Sequence, residues 1–295
     1  MFLNSQNIFW TKRSFAILIV SFLFNAYQLY PQEKDFRLIF STNLLQNMKT
    51  EDAIATTKIL AQNIQRKMKL EEEIKIEICN GVDEISESIK KPFDFILATT
   101  VETEILMKKN KLELTFVNET NSSVGFEFYL ITKKEQNFND LKSLKDGSII
   151  ILSKSNYNSA SVWLDKLLRD AKLSVKETFF KDVNYDYKAT NVVLPVYFNK
   201  TTAAIVSRPA LELLFELNPQ LRKSLNIISK SGPILFGVIS FDGRSKDRKR
   251  KDFMCEILSS LHEDSYGKQL LDLFMVDKML PFKDEYWQNY LNLYK

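Results

Sequence analysis

The richest hydrogen-bonding chemistry in the sequence lies in one polar turn, residues 153–159, which reads SKSNYNS. Apolar residues follow at helical spacing: Val162, Leu164, Leu167 and Leu168. A helix start needs only one or two side-chain oxygens to accept hydrogen bonds from its free amides. The turn is therefore more polar than a cap requires. Two interpretations stay open: an ordinary solvated loop, or one wall of a ligand site.

Polar residues also stand at the C-terminal ends of other predicted strands. In open α/β sheets, ligands bind outside these ends, where helix N-termini direct free amides into a crevice. Taken singly, such residues more often cap a helix than contact a ligand. Because they follow four strands in two parts of the chain, we predict that they line one cleft. The candidate ligand-binding residues are Ser41, Thr42, Thr99, Thr100, Asn156, Tyr157, Asn158, Ser159, Ser207 and Arg208.

Motifs for catalysis and metal binding do not stand out in the sequence. The single histidine, His262, lies in a helix-like segment, and no His or Cys pair has metal-ligand spacing. No G-x-S-x-G, P-loop or G-x-G-x-x-G motif occurs. The acidic run 71–73 is typical of a solvated surface, although sequence alone leaves an unrecognised carboxylate pair open. We expect no enzyme activity, no metal and no cofactor.

The overall charge argues against a nucleic-acid partner. The chain has 295 residues, with 41 Lys and Arg against 37 Asp and Glu, so its net charge is only +4. A dedicated nucleic-acid surface usually needs a larger cationic excess. The one basic run, GRSKDRKRK at residues 243–251, is predicted to be a solvated turn and helix start rather than a site for an anionic polymer.

Residues 1–30 differ from the rest of the chain. Their only charges are Lys12 and Arg13, which precede the uncharged run SFAILIVSFLF at residues 14–24. This order is typical of a secretory signal peptide, and the run is shorter than the roughly 20 residues that span a bilayer. An uncleaved N-terminal anchor is the second interpretation. We expect a periplasmic or otherwise extracytoplasmic protein, in which Cys79 and Cys255 are separate buried thiols rather than a disulfide.

Strand-like and helix-like segments alternate along the remaining chain. The order strand 36–41, helix 50–68 and strand 73–78 predicts a parallel sheet covered by helices. A similar alternation, including a predicted strand VKETFF at 175–180, follows in the second half, and the last 50 residues are predicted to be mostly helical. Two extended stretches, around residues 112–132 and 225–240, interrupt the alternation. They suggest two crossings between two lobes.

Several segments resemble the phosphate/phosphite/phosphonate ABC transporter solute-binding proteins, the PhnD-like family. The stretch AAIVSRPALELLFELNPQLRKSLNIISKSGPI, residues 203–234, is similar to that family's pocket strand, helix and late S-x-P-I crossing. Residues 93–106 (FDFILATTVETEIL) resemble its strand and helix after the first crossover position. Residues 126–152 resemble its hinge strand, DLK-G-K turn and second-lobe strand, and residues 193–206 resemble the stretch before the pocket strand.

The resemblance implies an α/β, two-lobed, periplasmic-binding-protein-like fold of type II with two hinge-crossing strands. Lobe 1 would comprise 33–127 and 236–295, and lobe 2 would comprise 128–235. The implied function is capture of a small phosphate- or phosphonate-like oxyanion, or a related organic solute, for the membrane permease of an ABC transporter. Two alternatives are a ligand-binding sensory subunit for a membrane signalling kinase and a degenerate member that no longer binds phosphonate.

The sequence departs from the family where the family holds its anion. The characteristic Ser-Thr-Ser-Gly turn is replaced here by SNYNSAS, residues 155–161. Asn and Tyr side chains can still donate hydrogen bonds to an oxyanion, but the compact Ser-Thr-Gly geometry is lost. Ser207 and Arg208 stand where relatives often carry an acidic residue followed by another polar one. Arg208 could pair bidentately with a carboxylate or a phosphate.

Overall fold

The computed structural model describes residues 36–44, 49–69, 73–263 and 265–295. The leader, residues 1–30, lies outside these ranges, so its interpretation as a signal peptide or an anchor stays a prediction. Within the described ranges, no helix combines the length and apolar character needed to span a bilayer. Cys79 is buried and Cys255 is partly buried, and both are free thiols as expected.

The described chain contains strands of two to nine residues. In chain order they are β1 (Arg37–Ser41), β2 (Lys75–Cys79), β3 (Phe95–Thr99), β4 (Leu112–Thr120), β5 (Ser123–Val124), β6 (Phe128–Lys133), β7 (Ser148–Leu152), β8 (Asp182–Asp186), β9 (Ala203–Ser207), β10 (Leu225–Lys230), β11 (Gly237–Asp242) and β12 (Lys278–Pro281).

Helices separate most of these strands. In chain order they are α1 (Thr50–Met68), α2 (Val82–Ser88), α3 (Thr100–Met107), α4 (Ser159–Asp170), α5 (Lys176–Phe179), α6 (Ala189–Tyr197), α7 (Arg208–Leu217), α8 (Pro219–Ser224), α9 (Arg248–Ser260), α10 (Ser265–Leu273) and α11 (Asp284–Leu291). Short 3-10 turns occur at Thr42–Leu44, Lys134–Gln136, Lys142–Leu144, Leu261–Glu263 and Asn292–Tyr294.

The first sheet has the strand order β12-β4-β11-β3-β1-β2, with β5 paired to β4. Strand β1 pairs in parallel with both β2 and β3, whereas β11 runs antiparallel between β3 and β4. Because β1, β2 and β3 are parallel, their C-terminal ends share one edge. We call the part of the molecule built on this sheet lobe 1.

The apolar sequence of β1 follows from burial on both faces of the sheet. Leu38 and Phe40 point into the cluster formed with α9 and α10, which includes Leu258 and Leu270. Ile39, between them, belongs to the opposite cluster, with apolar residues of α2 and α3. This two-residue alternation is the periodicity of a strand, with hydrophobic side chains on both sides.

The second sheet has the strand order β10-β6-β9-β7-β8 and forms lobe 2. Strands β7, β8 and β9 are parallel, and β6 and β10 are antiparallel to their neighbours. The strands of the two sheets lie within residues 37–281 and 128–230, so the second sheet is inserted between two parts of the first. The predicted two-lobed α/β fold is confirmed, while the predicted bounds of each lobe stay a prediction.

Two crossings join the lobes, and they pair with each other. The backbones of Phe126 and Ile234 exchange two hydrogen bonds of 2.9 Å. Next to them, Gly125 has a φ of +85°, and a Cβ at this position would overlap the carbonyl oxygen of Ile234. Only glycine combines the missing side chain with easy access to this backbone conformation.

The C-terminal segment contacts both lobes. Tyr290 of α11 is fully buried and donates a 2.8 Å hydrogen bond to Glu104 of α3. In lobe 2, the Arg169 guanidinium of α4 donates to the carbonyl oxygen of Leu293. The C-terminal segment is therefore a third connection between the lobes, in addition to the two crossings.

One element assignment made from the sequence is wrong, and one strand in the mostly helical C-terminal region was missed. Residues 175–180 form the short helix α5 rather than a strand, because Lys176 and Phe179 are buried on one side at helical spacing. The Lys176 ammonium bonds the Asp165 carboxylate at 2.8 Å, which lets a charged residue occupy this buried position. The C-terminal region, expected to be mostly helical, also contains β12, an edge strand paired with β4.

We predict that Gly125→Ala destabilises the hinge. The added Cβ clashes with Ile234 and strains a positive φ, so the free energy of unfolding should fall by about 2–4 kcal/mol. Chemical denaturation measures this change. Gly232→Ala is the matched control, because a Cβ added there would meet no heavy atom within 4 Å and the free energy should change by less than about 1 kcal/mol. Equal effects of the two substitutions would contradict the prediction.

Candidate functional site

The lobe 1 wall of the candidate site is organised around the carboxylate of Glu102. Thr99 caps α3, and Glu102 completes a capping box in which each residue bonds the backbone amide of the other. One carboxylate oxygen accepts hydrogen bonds from the amide and hydroxyl of Thr99, both at 3.0 Å. The other accepts from the Ser41 hydroxyl at 2.8 Å and from the Asn43 amide at 2.7 Å.

Glu102 is an ionisable group without solvent contact, since its exposed fraction is 0%. Burial raises the pKa of Glu102, and hydrogen bonds from Thr99, Asn43 and Ser41 act in the opposite direction. The Thr99 amide, the Ser41 hydroxyl and the Asn43 amide are therefore committed to a carboxyl group inside the protein. This arrangement ties the ends of β1 and β3 together.

The lobe 2 wall is the polar turn that precedes α4. The Asn158 oxygen accepts a 3.0 Å hydrogen bond from the Ser161 amide, which makes Asn158 the cap of the helix. Its side-chain nitrogen donates to the carbonyl oxygen of Ser155 at 2.5 Å, so both ends of this fully buried side chain hold the turn. Asn156 and Tyr157, in contrast, are exposed.

The two walls are joined by side-chain hydrogen bonds. The Ser155 hydroxyl donates to the Asn43 oxygen at 2.9 Å, and the Thr99 hydroxyl donates to the carbonyl oxygen of Tyr157 at 2.8 Å. We call this pair of bonds the latch. It places the first turns of α3 and α4 at the same interlobe junction.

A third meeting point is the carbonyl oxygen of Leu235 in the second crossing. It accepts a hydrogen bond from the Thr100 hydroxyl at 2.9 Å and another from the Ser159 hydroxyl at 2.6 Å. Thr100 begins α3 in lobe 1, and Ser159 begins α4 in lobe 2. The hinge backbone thus contacts both helix starts directly.

Eight of the ten predicted site residues lie at this junction, and the other two lie at the end of β9, which pairs in parallel with β7. Ser41, Thr99, Thr100 and residues 156–159 belong to the hydrogen-bonded walls just described, and Thr42 lies at the same sheet edge, where its hydroxyl bonds Asn80. Ser207 and Arg208 lie at the end of β9. The roles of all ten residues in binding a ligand stay a prediction.

Arg208 is engaged elsewhere along the lobe 2 edge. Its guanidinium bonds Glu212 at 2.8 Å and Glu127 at 3.2 Å, next to the first crossing. These two carboxylates raise the pKa of Arg208. In this structure, two acidic residues of the protein therefore pair with Arg208, where a carboxylate or phosphate of a ligand was expected.

Three residues of the junction were missed from the sequence. Glu102 carries a recognisable signal, because a threonine followed three residues later by glutamate is the capping-box pattern. Asn43 follows the predicted Ser41 and Thr42 by one position, and Ser155 stands in the polar turn itself. Their contacts depend on the approach of the two lobes, which no local pattern encodes.

The described residues contain no cluster of side chains suited to bind a metal ion. Among them, no group of three or more His, Cys, Asp or Glu side chains is arranged to hold a metal ion. The polar groups at the junction are hydroxyls, amides and one carboxylate. Such a set can bind and orient a solute through hydrogen bonds.

The sequence matches one known family over residues 45–287, most of its length. That family is described as the ABC transporter, phosphonate, periplasmic substrate-binding protein. The chain belongs to this family. Its members are solute-binding components of ABC transporters rather than a class of enzymes, and they work with a membrane permease outside the cytoplasm. The resemblance found in the sequence is confirmed.

Solved structures share the fold of this substrate-binding protein. A binding protein component of an ABC phosphonate transporter from Pseudomonas aeruginosa is 12% identical with a TM-score of 0.68, over 88% of this chain and 85% of that chain. PhnD1 from Prochlorococcus marinus, in complex with methylphosphonate, is 11% identical with a TM-score of 0.68, over 88% and 97%.

A sulphonate-binding protein also has a similar fold. The periplasmic aliphatic sulphonate binding protein SsuA from Escherichia coli is 10% identical with a TM-score of 0.57, over 89% of this chain and 86% of that chain. Among curated proteins, no sequence matches this substrate-binding protein significantly. At such low identities the structural likeness shows the fold, and the site has to be argued from its own residues.

We predict that the contribution of Glu102 to the stability of the fold decreases as the pH rises, because its pKa is raised in the folded protein. The pKa of a glutamate in an unfolded chain is about 4.3. Glu102 therefore stabilises the folded state most at low pH, and less as the pH rises through its folded pKa. Glu102→Gln cannot ionise. The stability of wild type relative to this variant should therefore decrease as the pH is raised from about 4.3 through the folded pKa of Glu102.

Urea denaturation across this pH range measures the difference. Glu216→Gln, on the exposed side of α7, is the matched control and is expected to follow the wild-type profile. Parallel profiles for wild type and Glu102→Gln would show that burial of this carboxylate has no consequence for folding.

Proposed function

We propose that this protein captures a small oxyanion, phosphate- or phosphonate-like, or a related organic solute, between its lobes and delivers it to the permease of an ABC transporter. Membership of the phosphonate substrate-binding family supports the transport role. Methylphosphonate bound to PhnD1 and the sulphonate named for SsuA indicate the class of compound to test. The leader, as a signal peptide or an anchor, would place the protein outside the cytoplasm.

The observation that carries this proposal is the meeting of two helix starts at the interlobe junction. The N-terminus of a helix presents free amides and the positive end of its dipole, which favour an anion. Here α4 begins directly after the polar turn, and α3 begins across the junction with Thr99 bonded to that turn. An oxyanion at this junction would meet the start of α4, since amides at the start of α3 are already bonded to Phe236, Glu102 and Thr99.

Closure of the lobes is the second part of the proposal. In two-lobed binding proteins, closure around the ligand occurs by rotation at a few hinge residues. The latch, Ser155 with Asn43 and Thr99 with Tyr157, forms only when the lobes are together. A bound solute would stabilise this closed arrangement by bridging the same two walls.

Because of the hydrogen bonds to Glu102, we expect lobe 2 to supply most of the hydrogen-bond donors to the ligand. On lobe 1, the Ser41 hydroxyl and the Asn43 amide already donate to this carboxylate. A second anion near the same groups would also be repelled when Glu102 is ionised. We therefore expect the solute to lie closer to the lobe 2 turn, where Asn156 and Tyr157 are exposed.

Ligand identification tests the proposed function. Native mass spectrometry of the gently purified protein should detect a co-purified small anion. Isothermal calorimetry then compares phosphate, methylphosphonate and an aliphatic sulphonate with a neutral sugar of similar size. We expect binding of at least one oxyanion and none of the sugar. If the sugar binds and no oxyanion does, the proposed ligand class is wrong.

We predict that Asn158→Ala weakens binding of the oxyanion by about tenfold to a hundredfold. The substitution removes both bonds that hold the turn, and a displaced turn would lose about one hydrogen bond to the charged ligand, which is worth about that factor. The same substitution should lower the free energy of unfolding by about 1–2 kcal/mol through loss of the cap. Calorimetry and urea denaturation measure the two effects.

The matched control is Asn218→Ala, which removes the side-chain cap of α8 at an exposed position. It should reduce stability without changing affinity, because α8 is not part of the junction. Unchanged affinity in Asn158→Ala would mean that the polar turn only begins a helix.

A further inference from the structure

Three basic segments meet at the edge of lobe 1 opposite the candidate site. Strands β1 and β3 end at the junction, so the beginning of β3 marks the opposite edge. At this edge, Phe241 near the end of β11 pairs with Phe95, and Asp242 pairs with Leu112 at the start of β4. The segments after α2, after α3 and after β11 therefore come together. We call residues 90–91, 108–111 and 243–251 the basic pole.

Hydrogen bonds join these segments into one surface. The Gly243 amide donates to the carbonyl oxygen of Lys111 at 2.9 Å. The Arg244 guanidinium donates to the carbonyl oxygens of Ile89 at 2.8 Å and Lys91 at 3.3 Å. Residues that are far apart in the sequence are thus held next to one another.

The net positive charge of the chain is concentrated at the basic pole. Its segments contain 11 of the 41 Lys and Arg residues and one of the 37 Asp and Glu residues. The pole therefore carries +10, and the rest of the chain carries −6. The modest net charge of +4 conceals a strong separation of charge between the two parts.

Neighbouring carboxylates neutralise only some of these cations. Lys90, Arg244, Arg250 and Lys251 pair with Glu87, Asp242, Asp94 and Glu113, respectively. The remaining seven are exposed and form no ion pair within the described residues: Lys91, the three lysines of 108–111, Lys246, Arg248 and Lys249. A stable fold does not require this excess.

Helix stability explains some of these cations but not others. Lysines after α2 and α3 stand near helix C-termini, where the helix dipole favours positive charge. Arg248 and Lys249 instead open α9, whose only acidic residue at this end is the N-cap Asp247, which accepts a 3.0 Å hydrogen bond from the Arg250 amide. A positive charge at a helix N-terminus is unfavourable.

The first described residues of the chain, Phe36 and Arg37, also lie at this pole. Strand β1 begins there, and the Asp94 amide donates to the carbonyl oxygen of Arg37 at 2.9 Å. In the sequence, the uncharged run 14–24 is followed by 11 residues, 25–35, whose extended length is at most about 40 Å. An N-terminal anchor, the second interpretation of residues 1–30, would therefore hold the start of β1 within about 40 Å of the membrane.

We propose that the basic pole binds the headgroups of anionic phospholipids, so that lobe 1 rests on the membrane. Exposed lysines and arginines near such a surface are attracted to its negative potential over about one Debye length. With the pole against the membrane, the candidate site lies at the far edge of the sheet and stays accessible to solute. The proposal does not depend on the identity of the solute.

Vesicle flotation of the full-length protein tests this binding. Vesicles of phosphatidylglycerol mixed with phosphatidylcholine are compared with vesicles of phosphatidylcholine alone, at low and high salt. We expect tighter binding to the anionic vesicles and weakening of that preference by salt. Binding to phosphatidylcholine alone measures the contribution of the apolar run.

The decisive variant is the triple substitution Lys246→Glu, Arg248→Glu and Lys249→Glu. A lysine or arginine close to an anionic membrane strengthens binding roughly fivefold, so the triple variant should bind anionic vesicles about a hundredfold more weakly. Its binding to phosphatidylcholine alone should equal that of wild type. Thermal unfolding checks that the fold is retained.

The matched control changes the same amount of charge at the outer edge of lobe 2. Lys145→Glu, Lys181→Glu and Lys200→Glu alter exposed residues that precede β7, β8 and β9. This variant should keep the preference for anionic vesicles within a few-fold. Equal losses in the two triple variants would show an effect of net charge only and would overturn the proposal. Equal binding of wild type to both kinds of vesicle, or binding to a DNA duplex but not to anionic vesicles, would overturn it as well.

Discussion

A carboxylate buried at the junction of the two lobes is the constraint on which the candidate site depends. Glu102 has no solvent to stabilise its charge, so donors from the protein must satisfy both oxygens. Those donors come from the ends of β1 and β3. The same requirement places Asn43 and Thr99 where their remaining hydrogen-bonding groups reach lobe 2. One buried charge in lobe 1 therefore orients the bonds between the lobes.

Much of the fold could be predicted from the sequence, because its signals are local. The apolar run of β1 and the helical spacing in α1 each indicate one element, and the structure contains both. Residues 175–180 mislead because a four-residue helix is too short to show a period, and Lys176 is buried only through its bond to Asp165. The edge strand β12 also lacks a clear pattern, since its partner β4 lies far away in the sequence.

The candidate site could be predicted only in part, for a related reason. Polar residues at strand ends were visible, and most of them meet at the junction. Their actual partners were not visible, because the bond between Ser155 and Asn43 spans more than a hundred residues and exists only through the packing of the lobes. Arg208 shows the reverse case: its charge suggested a ligand, whereas Glu127 and Glu212 occupy its guanidinium.

The C-terminal segment has a mechanical consequence for the opening of the lobes. Its Tyr290 is bonded to Glu104 of lobe 1, and the backbone at Leu293 is bonded to Arg169 of lobe 2. Two bodies that share a hinge and a second attachment cannot swing freely, because the attachment must stretch, slide or release. The C-terminal segment thus acts as a restraint on the hinge. It restricts the opening of the lobes as long as both bonds are intact.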